Sequence, residues 1–447
     1  MRARFKHLMA ALVLVLIVSG TFAQDSLTFS LVEARVYAMK NSYVIRNSSL
    51  DVASARSKVW ETIATGLPRL SGSASYTDYL DIPVSTVPGE FFGGEKGTYV
   101  PIKFQQNYSS DFGFKVDQIV FDGSYIVGVG SAKIYLQLSK QTKEKTEIDV
   151  LHAVEQAYYA VLVAEENLSV MNENLANSKK LERDTKAMYE NGFVEEQDKD
   201  QMRLLVQKAD NEVLKAVREI RVSKMVLKYA MGVDVNTEIR LSDKLSDFVE
   251  PLLEAKNRTS GFDYTSHIDF RLLDTQRQVS KKLLLLEKSS YLPKINAFYN
   301  LSETAYADEA NLFKSSVDWY KSSLLGISVS IPVFSAGERM AKVKQAEFDY
   351  QKAINNQSQV VQALQKDYMT AVADMENAVD QLNNDVDNKM LARKIYEKTV
   401  IKYNNGIAGS TELSQIEGQY IQAQGEWVSS VMQLLNSKIN FEKATGK

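Results

Sequence analysis

Residues 338–405 read ERMAKVKQAEFDYQKAINNQSQVVQALQKDYMTAVADMENAVDQLNNDVDNKMLARKIYEKTVIKYNN, an unbroken run without proline or glycine. Residues 131–191 form a second run of this kind. Both runs are rich in alanine, leucine, glutamate, glutamine and lysine, which favour helix. At about 1.5 Å per residue, each run predicts a helix roughly 90–100 Å long. Ordinary globular domains do not contain such helices, so coiled-coil packing is expected.

Core positions in both runs follow the alternating steps of three and four that supercoiled helices need. In the run at 338–405 these positions are Ile354, Gln357, Val361, Leu364, Tyr368, Ala371, Met375, Ala378 and Leu382. In the run at 131–191 they are Leu151, Val154, Tyr158, Val161, Glu165, Leu168, Asn172 and Leu175, with Glu165 and Asn172 as polar exceptions. The many alanine, tyrosine and methionine residues favour a sheet of neighbouring helices over a leucine zipper. An ordinary intracellular coiled coil remains open at this point.

Several features recur at a fixed interval along the chain. The pairs separated by this same interval are Tyr189 and Tyr403, Gly192 and Gly406, Gly232 and Gly446, and Gly123 and Gly337. The Leu-Pro pairs at 67–68 and 292–293 are farther apart than this interval, because the first half carries a longer loop between its Leu-Pro pair and Gly123. Repetition on this scale predicts an internal structural duplication, with two equivalent halves in one architecture.

Four short segments between the helices alternate apolar and polar residues, which predicts strands with one apolar and one polar face. The apolar positions are Leu70, Gly72, Ala74 and Tyr76; Phe112, Phe114 and Val116; Ile295, Ala297, Tyr299 and Leu301; and Leu325, Ile327, Val329, Ile331 and Val333. The adjacent helices are committed to coiled coils, so little is left to cover the apolar face. Strands of about ten residues with this pattern are typical of a transmembrane barrel.

Aromatic side chains are expected where such strands meet the two membrane interfaces. The candidates are Tyr76, Tyr79, Tyr108, Phe121, Tyr306 and Phe334. Four strands cannot close a barrel with a lumen, because about eight strands are the practical minimum. The chain is therefore expected to oligomerise, and three copies would supply twelve strands.

The N-terminus has the pattern of a secretory signal peptide. Arg2, Arg4 and Lys6 precede an apolar run at residues 8–18, and small residues lead to a cleavage site expected after Ala23. The apolar run is shorter than the roughly 20 residues that a transmembrane anchor needs. Removing residues 1–23 would change the net charge from −3 to −6. This charge gives no reason to expect a nucleic-acid partner.

The composition of the chain argues against a catalytic function. The chain has no cysteine and three histidines, and the mature part would keep only His152 and His267. Disulfides, thiolate metal sites and cysteine nucleophiles are excluded, and a histidine-based metal cluster or catalytic triad nearly so. Neither a Walker-type phosphate loop nor an HExxH motif occurs. The sequence therefore predicts a protein that is not an enzyme and that uses no cofactor or metal.

Several motifs, taken in order, resemble those of the TolC-type outer-membrane efflux protein family. They are residues 27–34 (LTFSLVEA) with Ala38 and Asn41, the two Leu-Pro pairs, residues 332–337 (PVFSAG) followed by Ala341, Val343, Ala346 and Ala353, and the tip sequences 189–194 (YENGFV) and 403–408 (YNNGIA). The resemblance covers the whole mature chain.

The resemblance implies a mainly α fold with a small β part. The expected assembly is a homotrimeric α-helical barrel of long coiled-coil hairpins, continuous with a 12-stranded transmembrane β-barrel to which each chain gives four strands. The implied organisation is a signal peptide at 1–23, a first repeat at 24–232, an equatorial connecting segment at 233–263 and a second repeat at 264–447. The implied location is the outer membrane of a Gram-negative-type cell, with a long periplasmic extension.

The resemblance also implies a function as the exit duct of a tripartite efflux or type I secretion system. Its partners would be outer-membrane lipid, a periplasmic adaptor (membrane fusion) protein and an inner-membrane transporter. The alternative is a structural or adhesive coiled-coil protein of the cell envelope, which would also carry a signal peptide and long helices. It would not account for the duplicated strand pairs with apolar outer faces.

By the same resemblance, the two helix-hairpin tips would contact the adaptor. The tip residues are Gly192, Phe193, Val194, Gly406, Ile407 and Ala408. Two gate positions after the second tip fall on Glu412 and Gln415, so one acidic ring would remain where the family carries two. Asp198 and Tyr403 are the candidates for bonds that close the entrance. Glu412 as an ordinary solvated charge is the open alternative, and Glu417, farther along, is expected to matter less.

Overall fold

The computed structural model describes residues 27–254 and 262–446. The helices are α1 (Leu31–Asn41), α2 (Tyr43–Ala64), α3 (Gly123–Glu190), α4 (Glu196–Met231), α5 (Ser246–Glu254), α6 (Ile268–Ser289), α7 (Glu338–Asn404) and α8 (Ser410–Thr445). The strands are β1 (Leu27–Phe29), β2 (Arg69–Asp78), β3 (Ser85–Pro88), β4 (Tyr99–Ile102), β5 (Tyr108–Asp122), β6 (Ile239–Leu241), β7 (Lys294–Ala307) and β8 (Trp319–Ser330). The expected signal peptide and part of the equatorial segment lie outside the described residues.

The chain divides into two units. The first, largely helical, comprises residues up to 51, 140–272 and 358–447, and the second comprises residues 52–139 and 273–357. Helices α3 and α7 give residues to both. Among the described residues, none of the helices combines the length and the apolar character needed to cross a bilayer.

The long helices are confirmed, but α3 begins earlier than predicted. It starts at Gly123 rather than near residue 131 and contains Gly128 and Gly130, so its length is 68 residues. A glycine inside a helix costs only about 1 kcal/mol, which a long packed helix absorbs. Helix α7 has 67 residues and ends at Asn404, as its glycine-free run predicts.

The predicted core face of α7 is also confirmed. Leu364, Ala371, Met375, Ala378 and Leu382 are buried, while Ile354, Val361 and Tyr368 are half-buried. In α3 the predicted spacing is only partly right beyond Val161, where Leu175 is buried and Leu168 half-buried as predicted. Asn172 is exposed, whereas Val170 and Asn174 are buried. Three consecutive residues, 161–163, are buried at that point, so the buried face changes register there as at a coiled-coil stutter.

Two hydrophobic clusters hold the first unit together. The larger joins Ala34 and Ala38 of α1, Val154 and Tyr158 of α3, Leu227 and Met231 of α4, Ala378 and Leu382 of α7, and Leu434 and Leu435 of α8. The smaller contains Leu181, Met202, Tyr396, Tyr403, Ala408, Leu413 and Tyr420. Burial of these side chains, at about 25 cal/mol per Å² of apolar surface, fixes the long helices side by side.

The second unit contains a four-stranded antiparallel sheet in the order β2-β5-β7-β8. Directly opposed residues lie on the same face, so the register can be followed across all four strands. One row is Leu70, Val116, Tyr299 and Leu325; the next is Gly72, Phe114, Leu301 and Ser323. The predicted apolar positions of the four strands therefore share one face.

The opposite face is mainly polar. Its rows include Ser71, Lys115, Asn300 and Leu324; Ser73, Gly113, Ser302 and Ser322; and Ser75, Asp111, Thr304 and Tyr320. Two expectations need correction. Strand β8 ends at Ser330, so Ile331 and Val333 follow the strand rather than belong to it. Tyr306 pairs with Ser109 on the polar face, so it does not join Tyr76 and Tyr108 on the apolar one.

Candidate functional site

The first helical hairpin closes through a turn made by backbone hydrogen bonds. Gly192 has φ 78°, in the left-handed region where a side chain would be strained. The Phe193 N–H donates to the Met188 carbonyl at 2.9 Å, and the Gly192 N–H donates to the Tyr189 carbonyl at 2.9 Å. This pair of bonds is the usual helix C-terminal motif with a left-handed glycine. The Phe193 side chain is left 78% exposed, while Val194 is half-buried.

The second hairpin closes in the same way. Gly406 has φ 71°, the Ile407 N–H donates to the Lys402 carbonyl at 2.9 Å, and the Gly406 N–H donates to the Tyr403 carbonyl at 2.9 Å. Ile407 is 75% exposed, but Ala408 packs into the smaller cluster. Phe193 and Ile407 are thus the large apolar side chains that the two tips present to solvent.

The predicted gate residues Glu412 and Gln415 lie on the exposed side of α8, three residues apart and within its first two turns. Leu413, between them in sequence, is fully buried and anchors this end of the helix. Within residues 27–254 and 262–446, neither the Glu412 carboxylate nor the Gln415 amide has a hydrogen-bond or ion-pair partner. Both groups are therefore available to solvent or to a second molecule.

The other two predicted gate residues lie near each other and have partners inside the chain. The Asp198 carboxylate accepts a hydrogen bond from the Glu195 N–H at 3.1 Å and so caps the start of α4. The Tyr403 hydroxyl is buried and lies 3.1 Å from the Thr185 hydroxyl oxygen. Burial raises the pKa of Tyr403, and the nearby charge of Asp198 raises this pKa further.

Buried polar pairs join α3 to the helices of the second hairpin. The Asn174 amide donates to the Gln424 side-chain oxygen at 2.6 Å, and the Ser178 hydroxyl donates to the Glu417 carboxyl at 2.7 Å. Together with Thr185 and Tyr403 we call these residues the polar seam. Sequence reasoning identified Tyr403 but missed its partner and the other two pairs, because each of those residues looks like an ordinary surface residue of a long helix. Glu417, which was expected to matter less than Glu412 for the gate, is only 3% exposed.

The chain matches a known protein family over most of its length. A model described as "Outer membrane efflux protein" matches residues 36–233 and 269–447, well over half of the chain. The chain belongs to the outer membrane efflux protein family. A comparison with curated proteins finds no significant match in sequence. The members of this family are channel proteins, not enzymes.

Solved structures of similar fold belong to outer-membrane channels. CusC, whose crystal structures concern transmembrane channel formation, gives a TM-score of 0.74 at 16% identity and covers 93% of this chain and 92% of its own. The CmeC outer membrane channel of Campylobacter jejuni gives 0.72 at 16% identity, covering 93% and 85%. The open MtrE outer membrane channel of Neisseria gonorrhoeae gives 0.70 at 16% identity, covering 93% and 88%. At 16% sequence identity, these similarities show that the chain shares the fold of the three channels.

This efflux protein also has a buried charge cluster between α1, α3 and α8. Glu155 is fully buried, and its carboxylate forms ion pairs with Arg35 and, at 2.6 Å, with Lys438. Burial alone would raise the pKa of Glu155, but hydrogen bonds from Lys438 and Tyr159 and the charge of Arg35 hold this pKa below its usual value. The carboxylate is therefore ionised and tightly paired.

His152 lies beside this cluster. Its ring nitrogens, Glu155 and Glu442 offer ligand atoms within 4.8 Å of one another. Lys438 already bridges the two carboxylates, at 2.6 Å from Glu155 and 3.0 Å from Glu442, so its ammonium group supplies the cation between them. Burial and the charge of Lys443 lower the pKa of His152, which favours the neutral ring. The expectation of no metal stays a prediction.

Proposed function

We propose that this efflux protein is the exit duct of a tripartite efflux or type I secretion system, assembled from three copies in the outer membrane. The observation that carries the proposal is the four-stranded sheet, whose apolar positions fall in register on one face and whose serine-rich positions fall on the other. A transmembrane barrel needs this division, with the apolar face toward lipid and the polar face toward the lumen.

The sheet edges argue for more than one copy. Strands β2 and β8 end the order β2-β5-β7-β8, so each has one side without a neighbour in this sheet. Exposed edges are avoided in stable sheets, and closure into a barrel removes them. Pairing β8 of one copy with β2 of the next would join three sheets into twelve strands, with the long helices forming an α-helical barrel in the periplasm.

Internal duplication is part of the proposal. Helices α3 and α7 have 68 and 67 residues, and α4 and α8 have 36 residues each. Both shorter helices end at a left-handed glycine, Gly232 and Gly446, each with φ 75°. These matched lengths and caps support two repeats, at 24–232 and 264–447, with 233–263 as the connecting segment and 1–23 as the signal peptide.

The partners follow from family membership. A periplasmic adaptor would dock on the tips through Phe193 and Ile407, and an inner-membrane transporter would supply the energy. Membership in the efflux family favours this duct over the alternative of a structural or adhesive coiled-coil protein. The gate would contain Glu412, one carboxylate per copy, with Gln415 as its neutral neighbour and with Asp198 and Tyr403 holding the hairpins closed.

Two measurements test the proposal. Chemical crosslinking of the detergent-extracted protein should trap a trimer and nothing larger, and the trimer should migrate differently on gels before and after heating. The same material should form cation-attracting channels in planar bilayers. A stable dimer, a monomer that inserts alone, or a trimer that never conducts would refute the duct.

A further inference from the structure

A cleft of about 280 Å³ lies between α3, α4 and α8; its lining reaches Ser414 but includes neither the predicted gate residues Glu412 and Gln415 nor the tip residues. Its apolar wall includes Met171, Leu205, Ala209, Ala216 and Ile421. This volume is close to the lower limit for pockets that hold small organic ligands, and a mostly apolar wall with a few polar groups is what such pockets share.

Two glycines on α8 help to form the cleft. Gly418 and Gly425 are seven residues apart, so they lie on the same side of the helix, and both line the cleft. A Cβ atom added at either position would meet no atom within 4 Å. Neither glycine is therefore required by close packing inside this chain, although glycine weakens a helix interior. The space above them is available to another molecule.

Glu417, next to Gly418, also lines the cleft and is incompletely satisfied. One of its oxygens accepts the hydrogen bond from Ser178, but Oε2 is buried and has no hydrogen-bond partner among the described residues. A buried polar group without a partner is costly and rare in folded proteins. Burial raises the pKa of Glu417, and the hydrogen bond from Ser178 and the charge of Lys208 only partly offset this rise. A bound cation would favour the ionised carboxylate.

The charges around the cleft favour the same class of ligand. Three glutamates and two lysines line it, so its net charge is −1 when all are ionised. One lysine, Lys215, is already 3.8 Å from Glu212 on the same helix. Among the three glutamates that line the cleft, Glu417 has a buried carboxylate oxygen that accepts no hydrogen bond from the described residues.

We infer that this cleft is a binding site for a small organic cation, a primary ammonium group carried on an apolar body, with the ammonium donating to Glu417 and the body lying over Gly418 and Gly425. The site is distinct from the gate, and its occupation does not depend on the proposed transport. A ligand there would contact all three helices at once.

The test is isothermal titration of the full-length mature protein in phosphatidylcholine nanodiscs, with empty nanodiscs as the blank. Three probes differ only in their polar group: 4-phenylbutylammonium, 4-phenylbutanol and 4-phenylbutanoate. We expect saturable binding of the ammonium compound at one site per chain. The alcohol should bind at least tenfold more weakly and the carboxylate not at all, because a charge-assisted hydrogen bond is stronger than a neutral one.

Three variants locate the site. Glu417→Gln should weaken ammonium binding about tenfold or more, and Gly418→Leu, which fills the open space, should abolish it. Glu426→Gln, an exposed acid on the same helix and outside the cleft, should bind as wild type does. Helix content from circular dichroism checks that each variant is folded. The inference fails if wild type shows no saturable binding, if alcohol and ammonium bind equally, or if folded Glu417→Gln and Gly418→Leu keep wild-type affinity.

Discussion

Adjacent residues on β8 allow a sharp test of which sheet face meets the lipid. Ile327 pairs with Ala297 on the apolar face, and Ser328 pairs with Asn296 on the polar face. Ile327 is 71% exposed, so nothing else in the described part of the chain covers it. An arginine at 327 would point into hydrocarbon, whereas an arginine at 328 would point into the aqueous lumen.

The expected cost can be worked from the position of Ile327 in the strand. It is the ninth of the 12 residues of β8, which places it about 6 Å from the midplane if the strand is centred there and tilted by about 45°. Arginine on the lipid face costs about 2–4 kcal/mol at the midplane and less toward the interfaces, so about 2–3 kcal/mol per copy is expected for Ile327→Arg. Three copies would bring the penalty to roughly 6–9 kcal/mol, whereas Ser328→Arg should cost about 1 kcal/mol or less.

The assay is refolding of each purified variant into phospholipid vesicles across a urea series, with gel-resistant trimer as the readout. Insertion of Ile327→Arg should fail at a markedly lower urea concentration than insertion of wild type. The yield of this variant's trimer in cell envelopes should also fall. Ser328→Arg should follow the wild-type curve closely. If Ser328→Arg is the more damaging change, or both variants insert as wild type does, the assignment of the two faces is wrong.

Four other changes have expected outcomes. Glu412→Gln should reduce cation selectivity and relieve block by multivalent cations in planar bilayers, whereas Glu426→Gln, an exposed acid nearly four turns farther along α8, should do neither; equal selectivity in wild type and Glu412→Gln would remove Glu412 from the gate. Phe193→Asp should abolish export at unchanged trimer yield, and unchanged export would exclude it from docking. Burial lowers the pKa of His152 in the folded state, so below the unfolded value of about 6.5 the unfolded chain binds the extra proton. The melting temperature should therefore fall from pH 7 to pH 5, and less so in His152→Gln; identical slopes would contradict this. Glu155→Gln should destabilise the fold by about 3 kcal/mol or more, because two basic side chains lose their buried partner; a variant that melts as wild type does would show the cluster to be dispensable.

Local pattern was sufficient for the long helices and for the four strands of the antiparallel sheet, but not for the short strands β1, β3, β4 and β6. The helices follow from long runs without proline or glycine, and the sheet faces follow from alternation, because both signals are contained in neighbouring residues. The start of α3 was misplaced since Gly128 and Gly130 were treated as boundaries, although a helix held by packing along its length tolerates them. Tyr306 was placed among the interfacial aromatics, but its register with Ser109 puts it on the polar face.

The site was less accessible to sequence reasoning. The tip glycines were identified because a left-handed turn leaves a local signal, and both have positive φ. Apart from Tyr403, the polar seam left no such signal, since Asn174 and its partner Gln424 lie in opposite halves of the sequence. Only the packing of α3 against α8 brings them together. Glu417 illustrates the difficulty, because a single glutamate in a helix gives no indication of whether it is solvated or buried.

Both hairpin turns close without using the side chains of Phe193 and Ile407, and this has a consequence for how such proteins diversify. The bonds at Gly192 and Gly406 use carbonyl and N–H groups, so the side chains of Phe193 and Ile407 contribute nothing to the turn itself. Mutations at these two positions should carry little penalty in folding, and under the proposed docking role recognition could change while the scaffold stays constant. If the tips dock an adaptor as proposed, exchanging these two residues between distant relatives would change the choice of partner and leave the hairpins intact.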